Sequence, residues 1–119
     1  MPRYCLLGNV DPAHLEEYRK RHAAVWPDLL RALAEAGWRN YSLFLRDDGL
    51  LIGYAEADDL DVAQAKVAAT EVNTRWQREM STLFALPDGA APDTSWQLVP
   101  EVFHLEDQLA ALGDAPDAS

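Results

Sequence analysis

His22 follows Tyr18 by four residues in "EEYRKRHAAVWPDLL", the stretch from Glu16 to Leu30. Residues at i and i+4 of a helix share a face, so the phenol and the imidazole would lie side by side. A phenol donates or accepts a hydrogen bond, and an imidazole exchanges protons near neutral pH. Together they could move a proton on a small polar substrate. A core tyrosine beside a satisfied buried histidine has the same spacing, so the pair alone leaves both readings open.

The tryptophans raise a second possibility. There are four, at positions 26, 38, 76 and 96. An indole face can cover the apolar side of a sugar ring while neighbouring polar groups take its hydroxyls. Core filling is the simpler role for any one of them. Trp76 differs in having Gln77 beside it, which sets an amide next to a flat apolar surface. Metal chemistry finds little support: His14, His22 and His104 are scattered, and no H-E-x-x-H occurs. The single cysteine, Cys5, can build neither a thiolate site nor an internal disulfide. No glycine-rich phosphate loop and no nucleophile motif is present. Neither a metal nor a cofactor is expected.

The elements that must position these groups follow in order. Residues from Arg3 to Val10 form an apolar run that predicts a first strand. Asp11 and Pro12 then supply an N-cap and a first helical residue, and Gly37 a stop. Between them Tyr18, His22, Val25, Trp26, Leu29 and Leu33 fall within one arc of about 100°. His22 should therefore face inward. Pro27 should kink the helix near Trp26, but the stripe keeps its phase, which predicts one bent helix.

"NYSLFLRDDGLLIGYAEA" reads as two strands around an Asp47-Asp48-Gly49 turn. Tyr41, Leu43 and Leu45 share one face of the first strand, with Ser42, Phe44 and Arg46 on the other. A second helix is predicted from Leu60 to Phe84, capped by Asp58 or Asp59, with Ala65, Ala69, Val72, Trp76 and Met80 as its inner stripe. The loop "LPDGAAPDTS" and a last strand in "WQLVPEVFHLE" follow, Pro100 marking an edge or bulge. The order β-α-β-β-α-β predicts an α+β, ferredoxin-like domain over residues 1–106, with 107–119 an acidic flexible tail. Apolar groups on both sheet faces predict a homodimer that covers the face the helices leave open.

Composition narrows the partners. One domain suits 119 residues, and a formal net charge of -10 repels nucleic acids and anionic membranes alike. A neutral small molecule fits that charge. "MPRYCLLGNV" is too short in its apolar run for a signal peptide, and no segment approaches the roughly 20 apolar residues of a membrane span. The expected location is the cytoplasm.

Four blocks, "EEYRKRHAAVWPDLL", "NYSLFL", "TEVNTRWQREM" and "LVPEVFHLE", together resemble the L-rhamnose mutarotase family over Arg3 to Leu105. The resemblance implies a small dimeric α+β protein of dimeric α/β-barrel type that interconverts the anomers of L-rhamnose without a cofactor. It implies His22 as the proton donor, and Tyr18, Tyr41 and Trp76 as sugar contacts. Familiar members carry a second tryptophan where this chain has Gln77. That difference keeps another 6-deoxy sugar, such as L-fucose, as an alternative substrate. A haem-degrading or cofactor-free monooxygenase is a further alternative, on fold analogy alone. A sugar-binding module without catalysis is another.

Overall fold

Alternation along the first strand sets up the whole molecule. In the computed structural model, which describes residues 1–84 and 96–113, β1 spans Arg3–Asn9. Leu6 and, just beyond the strand, Val10 are buried on one side. Cys5 and Leu7 point to the other. A 3-10 turn at Pro12–His14 follows, with the Asp11 carboxylate accepting from the Ala13 N–H at 3.0 Å. Next come α1 (Leu15–His22), α2 (Pro27–Ala36), β2 (Arg39–Leu45) and β3 (Leu50–Glu56). The described chain is completed by α3 (Leu60–Ala68), α4 (Glu71–Met80), β4 (Gln97–Val99) and α5 (Leu105–Ala111).

The sheet runs β2-β3-β1-β4 with every neighbour antiparallel, the ferredoxin-like order. Helices pack against the face that carries Leu6, Leu51 and Ala55, and the core lies between them. Gly49 closes the expected β2–β3 hairpin at φ 96°, where a side chain would collide with the Val10 carbonyl oxygen. Among the described residues, no helix is long and apolar enough to cross a membrane.

The bent first helix is in fact two helices. Trp26, which precedes Pro27, takes an extended conformation at φ -55° and ψ 132°. Proline's ring disfavours the helical region for its predecessor, so the chain breaks rather than bends. The inward stripe survives the break: Tyr18 and Leu29 are both buried. The second helix is also split. Thr70 adopts φ -87° and ψ 143°, donates its hydroxyl to the Val67 carbonyl at 2.7 Å and accepts from the Asn73 N–H at 3.2 Å. A capping threonine ends one helix and starts another, which resets the helical phase. Ala65 and Ala69 are consequently exposed, while Ala63 and Val67 take the inner positions. Regular helix ends at Met80, short of Phe84.

The last strand is brief, and Pro100 follows its final residue at the sheet edge. Residues 107–111, expected to fray, belong instead to α5. Glu106 and Asp107 lie in its first turn, where negative charge is favourable. Arg3 ties the segment down with bonds of 2.9 and 3.0 Å to Glu101 and 2.7 Å to Asp107. Residues 114–119 and the "LPDGAAPDTS" loop lie outside the described residues.

Candidate active site

His22 sits in the last turn of α1, half-buried, with the three basic residues before it turned to solvent or to ion pairs. Arg19 pairs with Asp47 at 3.0 Å and Arg21 with Glu17 at 2.8 Å. The imidazole instead stacks on Tyr18, with ring centroids 4.0 Å apart and planes inclined by 21°. Its Nδ1 lies 3.0 Å from the Tyr18 carbonyl oxygen. A carbonyl only accepts, so in the neutral ring the proton resides on Nδ1 and the lone pair on Nε2. Nε2 makes no hydrogen bond among the described residues. Burial lowers the His22 pKa from its ordinary value, outweighing the opposing effect of the Tyr18 carbonyl. The resting group is therefore a neutral imidazole with an available Nε2.

Trp76 approaches from α4. Its ring meets His22 edge-on at 5.3 Å and Trp26 edge-on at 5.0 Å. Arg75 lies over the Trp26 ring, 5.9 Å from its centroid. Tyr41 comes from β2, on the inward face it shares with Leu43, and a bulge lies just before it. Arg39 pairs with Glu56 and Ser42 with Tyr54, so three steps on β2 match two on β3. Asn40 occupies the irregularity at φ 47°, its amide donating to Glu56 at 3.1 Å. The extra residue puts Arg39 out of alternation with Tyr41, Leu43 and Leu45, which keep the helix side. Burial raises the pKa of both Tyr18 and Tyr41, and for Tyr18 the neighbouring Tyr41 adds to the effect. Both phenols stay protonated and can donate.

A cavity of about 430 Å³ joins these groups, within the range of small-molecule sites. Tyr18, His22, Tyr41, Trp76 and Gln77 all line it. The five residues singled out in the sequence thus converge on one space from three elements. A contiguous lobe of about 310 Å³ adds Val25, Leu29 and Leu30, an apolar extension. Trp38 and Trp96 also border the cavity, and the Trp38 indole N–H donates to the Ala63 carbonyl at 3.3 Å, a core role as well.

Asn73 was missed in the sequence and is the one buried polar residue among those described, at 3% exposure. Its Oδ1 accepts from Gln77 Nε2 at 3.1 Å, and both side chains line the cavity. The signal was present: Asn73 precedes Trp76 by three and Gln77 by four, the spacing of one helical face. Gln64, from α3, is a further polar liner. Among the described residues, no group of three or more His, Cys, Asp or Glu side chains is placed to hold a metal ion. The arrangement can hold a small polyol against aromatic faces and exchange a proton with it.

Comparison with known proteins adds an independent line. The sequence profile of L-rhamnose mutarotase matches residues 3–105. An L-rhamnose mutarotase from Oceanobacillus iheyensis is 34% identical over 107 residues, covering 89% of this chain and all of that protein. One from Ligilactobacillus salivarius is 36% identical over 102 residues, covering 82% and 92% respectively. The crystal structure of an L-rhamnose mutarotase from Formosa agariphila superposes with a TM-score of 0.68 over 87% of this chain and 98% of that one. Its sequence identity is 23%, so this last likeness speaks to the fold.

Proposed function

The chain belongs to the L-rhamnose mutarotase family, and we propose from that premise that His22 carries the proton in the interconversion of L-rhamnose anomers. Opening the pyranose ring moves one proton from the anomeric hydroxyl to the ring oxygen, as the C1–O5 bond breaks and C1=O1 forms. Neutral His22 takes the proton from O1 on Nε2, and the imidazolium gives it to O5. Rotation about C1–C2 turns the other carbonyl face towards O5, and the reverse transfers close the ring. The donor role of His22 is thus the second half of one shuttle. The observation that carries this reading is the Nδ1 contact with the Tyr18 carbonyl, which leaves Nε2 as the acceptor beside the cavity.

The other groups bind. Tyr18 and Tyr41 donate to sugar oxygens, Trp76 covers the apolar face of the ring, and Gln77 meets a hydroxyl. The lobe formed by Val25, Leu29 and Leu30 accepts the 6-methyl group. An extra 6-hydroxyl buried there without a partner costs roughly 1–3 kcal/mol, enough to favour a 6-deoxy sugar about tenfold to a hundredfold. The family match displaces the oxygenase reading, for which fold analogy was the sole support. We further propose that two copies associate through the open sheet face in the cytoplasm.

Saturation-difference NMR on equilibrated L-rhamnose, L-fucose and D-glucose tests the assignment. Exchange should be fastest for L-rhamnose and should fall about 10²- to 10⁴-fold towards background in His22→Ala, the usual span of general acid–base catalysis. Full activity in a folded His22→Ala protein would remove His22 from the mechanism. Equal exchange of D-glucose would show that the methyl is not read.

A further inference from the structure

We propose that Asn73 and Gln77 form a hydroxyl-reading pair, in which Asn73 holds the Gln77 amide so that its Oε1 accepts from a ring hydroxyl away from the anomeric centre. This rests on the sugar-binding reading above and deepens it. The Thr70 cap starts α4 at the register that stacks Asn73 beneath Gln77, one turn apart. Gln77 Nε2 then donates to Asn73 Oδ1 at 3.1 Å, which orients the amide. The other end, Oε1, is buried and has no hydrogen-bond partner among the described residues. Buried carbonyl oxygens nearly always have a donor, because leaving one unpaired is costly. Gln77 borders both lobes of the cavity, so a bound polyol can supply the donor once the side chains that shield Oε1 shift aside. The anomeric oxygen is the one His22 must reach, which leaves a hydroxyl elsewhere on the ring for Gln77.

An oriented acceptor discriminates in one sense. A hydroxyl satisfies Oε1; a methylene at the same position cannot, and the carbonyl stays unpaired. Asn73 is a positioning residue, since it acts on the sugar through Gln77.

The test measures anomer exchange of L-rhamnose and its 3-deoxy and 4-deoxy analogues by wild type, Gln77→Leu, Asn73→Leu and Asn73→Asp, with thermal melting as the folding control. In wild type, one analogue should exchange with a kcat/KM lower by about 10- to 100-fold. Gln77→Leu should raise the KM for L-rhamnose more than it lowers kcat, and should erase that analogue's penalty while sparing the other's. Asn73→Leu should weaken the same discrimination. Asn73→Asp, which keeps an acceptor for Gln77 Nε2, should restore it. An unchanged penalty in Gln77→Leu, or a loss of melting temperature in Asn73→Leu with discrimination intact, would overturn the pair's role. A wild type that speeds no sugar's exchange would instead overturn the activity, and the pair's role with it.

Discussion

Burial and a backbone carbonyl pull the His22 imidazole in opposite directions, and burial wins. The acting species in the shuttle is neutral, so a lowered pKa extends the active range towards acid. The kcat/KM for L-rhamnose exchange should therefore hold as pH falls through about 6.5, the free histidine value, and decline only below it. The sign is the same for stability: the fold favours the neutral ring, so the His22 contribution is complete above the free value and is lost as pH falls through the lowered one. Exchange rates across the acidic range, paired with melting curves, separate the two effects. An acid limb centred above the free histidine value would contradict the lowered pKa. The phenols of Tyr18 and Tyr41 remain protonated through this range, so Tyr41→Phe should cost substrate affinity without reshaping the acid limb.

Three backbone irregularities frame the site: a bulge inside β2, the break at Trp26 between α1 and α2, and the cap at Thr70 between α3 and α4. The bulge at Asn40 holds a non-glycine residue at positive φ, a conformation that costs a β-branched side chain about 1–2 kcal/mol. Asn40→Val should lose roughly that much in chemical denaturation and should weaken sugar binding through Tyr41, while Asn40→Gly should keep the backbone. A fully stable Asn40→Val variant would show that this geometry is not held by Asn40. The bulge was invisible in the sequence because alternation already placed Tyr41 with Leu43 and Leu45, and only strand pairing exposes the extra residue. The first helix's inward arc was legible because Tyr18, His22 and Leu29 keep their phase across Pro27. The restriction proline places on Trp26 turned the expected bend into a break. The second helix was less legible. Its expected stripe ran on from Ala65 and Ala69 through Thr70 to Val72 and Trp76, and alanine carries no mark of inside or outside. The cap moved Ala65 and Ala69 to the surface and brought Asn73 into the site. Of the residues that line the cavity, Tyr18, His22, Trp76 and Gln77 stood out by side-chain chemistry at their spacing, whereas Tyr41 came from the family resemblance.

At the scale of the whole molecule, the helices cover one face of a four-stranded sheet and leave the other bare. Phe44 is 57% exposed there and paired with Ile52, Val99 lies on the opposite edge strand, and Val102 and Phe103 are exposed between β4 and α5. A second copy is the proposed cover. Each copy carries a formal charge of -10, so association works against mutual repulsion that salt screens. Sedimentation equilibrium at micromolar concentration should give twice the chain mass, with tighter association as ionic strength rises. Phe44→Glu should shift the equilibrium towards the single chain. A wild-type protein that stays monomeric at all salt concentrations would discard the open face as an interface.

The edge contact between Trp76 and His22 gives the folded molecule an optical readout of its own proton. An excited indole loses emission to a nearby imidazolium far more readily than to neutral imidazole. The two rings lie 5.3 Å apart but come from helices more than fifty residues distant in the chain. Trp76 fluorescence thus couples two events: the rings meet only when both helices have docked, and the emission then dims as His22 gains its charge. Refolding kinetics and the protonation of one group can be followed in the same light.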